Sequence, residues 1–139
     1  MTTRLCCAIF LVILSGCAVK NYAYGENAPG AATPAQGKST VYLVRPGVYG
    51  FAIRYPVTIN EQAYPSLSAQ RFIKAELEPG TVVVKAKGEK MCTVTFTAKS
   101  DNAYYLKATN RPGWLYARVQ LEMVDPTEGM SYVSQCSAQ

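Results

Sequence analysis

The chain has 139 residues, 49% of them hydrophobic, with 14 Lys and Arg against 9 Asp and Glu, a net charge of +5 and no histidine. This length supports one domain with a real core rather than two. Without histidine, Cys-His and Ser-His-Asp catalysis are excluded and the commonest metal ligand is missing; the cations, scattered from Lys38 to Arg118, form no basic stripe of the nucleic-acid-binding kind.

The first elements are read at the N-terminus. Arg4 precedes an apolar run from Leu5 to Leu14 and a small-residue site at Ser15-Gly16-Cys17, the three parts of an export signal. The run is about half the ~20 residues that a membrane-spanning helix needs, which makes a permanent transmembrane anchor the weaker reading. Leu14-Ser15-Gly16-Cys17 resembles the bacterial lipobox, in which the cysteine takes a diacylglyceryl group and becomes the first residue of the mature chain. An ordinary secretory signal that happens to contain a cysteine is the alternative. Residues 1–16 are thus expected to be a lipoprotein signal peptide and Cys17 the lipidation site, carrying the two or three acyl chains, palmitate among them, that stable anchoring takes. Removing the one charge of Arg4 takes the net charge from +5 to +4. Ala18, where enteric lipoproteins retained in the inner membrane have aspartate, points to an outer-membrane address facing the periplasm.

From Ala18 to about Lys38 the chain is rich in Ala, Gly, Pro, Asn, Thr and Gln without an apolar period, the composition of a flexible tether. From residue 39 to 139 the period is two and turn signals recur at short intervals, predicting an all-β domain: a mainly antiparallel β-sandwich of about seven strands with a short C-terminal helix. The first strand is Val41–Val44, closed by Arg45-Pro46-Gly47. Phe51, Ile53, Tyr55, Val57 and Ile59 alternate with polar or small residues as the second, where Pro56 implies an edge or a bulge. Ile73–Leu77 and Val82–Ala86 are joined by Pro79-Gly80, read as the tight turn of a hairpin. Gly88-Glu89-Lys90 leads into Cys92–Ala98, and Ala103–Thr109 and Trp114–Val124 complete the sheets. Asp125-Pro126-Thr127-Glu128 then carries the marks of a helix start, an N-cap acid with proline at the first helical position, and predicts a helix to about Gln135 that Gly129 weakens.

Cys6 and Cys7 leave with the signal and Cys17 is lipidated, so Cys92 and Cys136 are the thiols left in an oxidising compartment, and a disulfide between them is expected. The alternative is that Cys92, in phase with Val94 and Phe96, is an inert buried thiol. Glu76 and Glu78 lie beside Lys74 as a solvated charge row rather than a catalytic pair, and no phosphate loop, metal site or cofactor signature is present. One surface feature stands above background. In the last predicted strand Leu115, Ala117, Val119, Leu121 and Met123 share an apolar face, leaving Trp114, Tyr116 and Arg118 on the other, with Tyr105 and Lys107 beside them if neighbouring strands pair. Such a cluster suits glycan stacking or a protein hot spot. The alternative is that this face is covered by the helix or the other sheet.

Five segments, Val41–Gly47, Tyr55–Asn60, Glu76–Gly80, Ala103–Leu106 and Leu121–Asp125 ahead of Glu128-Gly129, together resemble the bacterial lipoprotein family known as domain of unknown function 2846, over residues 39 to 136. The chain departs from the family's usual Asp-Gly turn after the second strand and its glycine before the third, having Asn60-Glu61-Gln62 and Tyr64-Pro65-Ser66 there. The resemblance implies an envelope location and a β-sandwich, and supplies no catalytic residues. The expected function is a non-enzymatic binding or assembly module, held on the membrane through Cys17 and meeting an envelope protein or a glycan such as peptidoglycan; a hydrolase is the less favoured alternative. Radiolabelled palmitate should enter the wild-type chain and not a Cys17→Ser variant; equal labelling of both would rule out the lipid anchor.

Overall fold

A computed structural model describes residues 34–139; the expected signal peptide, Cys17 and most of the expected tether lie outside the described residues. The described residues form nine strands and one helix: β1 (Ser39–Arg45), β2 (Tyr55–Ile59), β3 (Gln62–Leu67), β4 (Arg71–Leu77), β5 (Gly80–Lys87), β6 (Met91–Ala98), β7 (Ala103–Arg111), β8 (Arg118–Val124), α1 (Pro126–Ser134) and β9 (Ser137–Ala138). They build a sandwich of a five-stranded sheet, in the order β8-β7-β1-β4-β9, and a four-stranded sheet, in the order β3-β2-β5-β6. Most pairs are antiparallel, but β1 runs parallel to β7, and β9 to β4.

The main core lies between the sheets, where Val41, Leu43 and Leu106 of the first meet Tyr55, Ile59, Val82 and Val84 of the second, all fully buried. The alternation that identified these strands is the alternation of inward and outward side chains. β1 breaks it by being buried at all seven positions. Its other face lies under α1, where Tyr42 stacks on Tyr105 with ring centroids 5.1 Å apart, and Phe72, Val124, Met130 and Val133 complete a second, smaller cluster. α1 starts as its sequence predicts, Asp125 accepting a hydrogen bond from the N–H of Glu128 at 3.0 Å. Gly129, expected only to weaken this helix, is where it touches the sheet: a Cβ there would fall within the Tyr105 ring.

Several expectations are corrected. Gln62–Leu67 is an additional strand, an edge strand that tolerates Pro65. It is joined to β2 by Asn60 and Glu61, both at positive φ (49° and 64°), the geometry of a tight primed turn reached without glycine. Asn60 secures it by exchanging two hydrogen bonds with Val83 of β5, backbone N–H to backbone carbonyl at 2.9 Å and side-chain oxygen to backbone N–H at 2.8 Å. Pro56 falls at a bulge, as its lost N–H demands. The segment through Pro79-Gly80 does not close a hairpin: β4 pairs with β1 and β9, β5 with β2 and β6, so the chain crosses there from one sheet to the other.

The expected disulfide is not formed, and both Cys92 and Cys136 are free thiols. Cys92 faces the main core from β6, its sulfur accepting the N–H of Leu121 at 3.4 Å. Cys136 follows α1 and leads into β9, at the opposite edge of the five-stranded sheet from β8. β6 packs against β8, the far edge of that sheet from β9, so Cys92 and Cys136 are not side by side as the Cα separation of roughly 4.4–6.8 Å in a disulfide requires.

Gly129→Ala tests the seat of the helix. Ala normally favours a helix over Gly, but here the added methyl overpacks Tyr105, and the change should cost about 1–3 kcal/mol, lowering the melting temperature by roughly 4–8 °C per kcal/mol.

Candidate functional site

The parallel pairing of β1 and β7 makes both strands end at the same pole of the sandwich, so the segments that follow them, residues 46–54 and 112–117, emerge side by side. The β5–β6 turn at Gly88-Glu89-Lys90 reaches this pole too, packing its Gly88 against the backbone of Ala117 to Val119 too closely for any side chain. All the exposed large hydrophobic residues among the described residues gather here: Val48, Tyr49 (74% exposed) and Phe51 (80%) on one segment, Trp114 (89%), Leu115 (89%) and Tyr116 (50%) on the other, and Met91 at the start of β6. Exposed apolar side chains gathered at one end of an otherwise well-buried fold are the kind of feature that interaction sites carry.

Each segment is held from inside. Arg45, at the end of β1, points between the sheets and is 1% exposed. Its guanidinium donates to the carbonyls of Ile53 (2.6 Å), Gly50 (2.8 Å), Tyr49 (3.3 Å) and Leu67 (3.4 Å), and lies 4.9 Å from the centre of the Tyr55 ring. Asn110 of β7 accepts the Tyr55 hydroxyl at 2.9 Å and donates to the Tyr49 carbonyl at 2.6 Å. Gly50, at φ +68°, passes so close to the Asn110 amide that a Cβ has no room. The second segment hangs on Glu89. One carboxylate oxygen accepts the N–H groups of Leu115 (2.9 Å) and Tyr116 (3.0 Å), and the other accepts Arg118 through Nη2 (2.8 Å) and Nε (3.1 Å). The N–H of Tyr116 above all, then the Arg118 guanidinium and the N–H of Leu115, hold the Glu89 carboxyl down at about 2.

Of the residues expected to form a patch, Trp114 and Tyr116 are exposed, but on a loop rather than a strand, because β8 begins only at Arg118. Leu115, expected in the core, stands in solvent beside them. Arg118 is committed to Glu89. Tyr105 and Lys107 are not part of the patch: Tyr105 is 2% exposed beneath α1, and Lys107 donates to the Tyr132 hydroxyl at 2.8 Å with its ammonium over that ring. Lys107 lines a cleft of about 350 Å³ between α1 and the start of the 46–54 segment, which adjoins the pole through Tyr49, Arg45 and Asn110. The bond to Tyr132 raises the Lys107 pKa, so this lysine is a fixed cation and not a proton acceptor. Val48, Tyr49 and Phe51 were missed because Phe51 and Ile53 keep strand alternation; the signal against a strand was the spacing of Gly47 and Gly50 directly after Arg45-Pro46.

A carboxylate whose folded pKa is depressed contributes fully above its unfolded value and loses that contribution as pH falls through the folded one. Amide exchange at Leu115 and Tyr116 should therefore stay slow down to about pH 4.5 and accelerate as the pH approaches 2, whereas Glu89→Gln should speed exchange at both and abolish that acid step. No family model, curated protein or solved structure matches the chain.

Proposed function

We propose that the chain is a lipid-tethered, non-enzymatic binding module of the bacterial envelope, anchored through Cys17 at the periplasmic face of the outer membrane, with the aromatic pole as its contact surface. Membership of the lipoprotein family domain of unknown function 2846 belongs to the same proposal. The lipobox supports the anchor. The pole carries the binding reading: six large apolar side chains from two loops stand in solvent on backbone fixed by Arg45, Asn110 and Glu89. A scaffold that holds exposed aromatic groups in place keeps down the entropy lost on binding. The tether joins at Ser39, the opposite end of β1 from the pole, which leaves the contact surface clear of its own attachment.

Trp114→Ala separates this from a structural role. At 89% exposure the change should leave stability within about 0.5 kcal/mol of wild type, while capture of envelope components by in-cell crosslinking should weaken by about 2 kcal/mol or more, as for an interface tryptophan. A stability loss of roughly 3–5 kcal/mol, the cost of a core tryptophan, would remove the reading. Unchanged capture would do the same.

A further inference from the structure

We infer that the pole is a membrane-insertion surface, entering the interface of an anionic bilayer, and that this bilayer is the one carrying the lipid on Cys17. The inference rests on the proposed reading of Cys17 as anchor and of the pole as contact surface, and names the partner.

The first ground is the chemistry left over at the pole once its internal bonds are counted. Arg45 and Asn110 are spent on loop carbonyls and on Tyr55, and Glu89 and Arg118 on each other and on the backbone. A glycan is oriented by hydrogen bonds from side chains between the stacking rings, and here those side chains are occupied. A protein partner would have to bring a pocket for each projecting group, Trp114, Leu115 and Phe51, whereas a bilayer interface takes them in without shape complementarity. What faces outward is aromatic and aliphatic with cations at its margin, the mixture that settles at the boundary of hydrocarbon and headgroup.

The second ground is charge. Arg54, beside one loop, and Lys87 and Lys90, at the adjoining turn, are exposed and have no acidic partner among the described residues. Glu89, the carboxylate between them, is neutralised by Arg118. Each cation near an anionic surface strengthens association by roughly five-fold.

The third is reach. Residues 35–38 turn and bond to Asp101 and Glu78 of the domain, so the free tether is residues 18–34, which fully extended span at most about 60 Å, whereas strands of seven to nine residues are about 25–30 Å long. The tether is long enough to run back past the domain, so the pole reaches the surface its own lipid occupies. Linkage at this range gives an effective concentration in the millimolar range, at which even a weak insertion is populated.

Trp114 is the only tryptophan of the chain, which makes intrinsic fluorescence a reporter of the pole. The full-length lipidated protein, reconstituted into vesicles of phosphatidylethanolamine and phosphatidylglycerol, should show blue-shifted emission that is quenched by lipids brominated along their acyl chains, and less of both in phosphatidylcholine vesicles. Phe51→Ser with Leu115→Ser, both sites exposed, should keep the melting temperature and weaken insertion by about tenfold or more. Emission of a solvated indole in protein that floats with its vesicles would overturn the inference and leave the anchor standing. Flotation and a blue shift that are the same in a Cys17→Ser variant would overturn the anchor, and with it the carrying membrane as the one inserted into. Quenching only by brominated vesicles added separately would overturn insertion into the carrying membrane. A shift produced by soluble peptidoglycan fragments and not by vesicles would overturn it in favour of a glycan, and a concentration-dependent shift without vesicles would overturn it in favour of a second copy of the chain.

Discussion

The pole depends on a charge buried without a counter-charge. Arg45 has no carboxylate partner among the described residues; its partners are four backbone carbonyls and the face of Tyr55. A buried cation is tolerated when its donors are satisfied, and the planar guanidinium, with five N–H groups, can satisfy itself on several carbonyls where an ammonium could not. Burial pulls the pKa of Arg45 down from its usual value, but a guanidinium stays protonated at any physiological pH. The consequence runs outward: the carbonyls of Tyr49, Gly50 and Ile53 must turn inward to meet it, so Val48, Tyr49 and Phe51 cannot join a strand.

The second constraint is the position of β1. A strand paired on both edges and covered on both faces cannot present polar side chains, and β1 is buried along its whole length, Arg45 included. Its parallel alignment with β7 gives the molecule a polarity: Arg45 and Arg111 end their strands at the same end, while Ser39 and Ala103 begin at the other. Had that pair been antiparallel, the two apolar loops would lie at opposite poles.

The sequence showed the strands wherever alternation reflects one buried face. Val82, Val84 and Ala86, or Val94 and Ala98, are in that class, and the helix was legible from Asp125-Pro126 because capping is local. Gln62–Leu67 was not legible, since an edge strand with Pro65 and mostly exposed positions carries almost no pattern. The crossing at Pro79-Gly80 looks like a hairpin locally and differs only in which strands lie alongside, a long-range fact. Half of the pole was legible: Trp114 and Tyr116 announced themselves by size and amphipathic character. The 46–54 loop did not, because what bends it is a side chain outside the loop whose burial depends on Tyr55, Leu67 and Asn110 together. Elimination of thiols suggested a disulfide, but two cysteines on different sides of a sheet remain apart whatever the redox environment.

The last residues have a role out of proportion to their number. Ser137 and Ala138 lie parallel to the start of β4, where the Ser137 N–H donates to the Gln70 carbonyl, the Gln139 N–H to the Phe72 carbonyl, and Arg71 to the carbonyl of Ala138. Without them β4 would carry a row of open donors and acceptors along a Phe-Ile-containing strand, the template on which chains join edge to edge into aggregates. Ser137 and Ala138 thus cover the Arg71–Phe72 end of that edge, and trimming them would open it to other chains while leaving the core and both apolar loops intact.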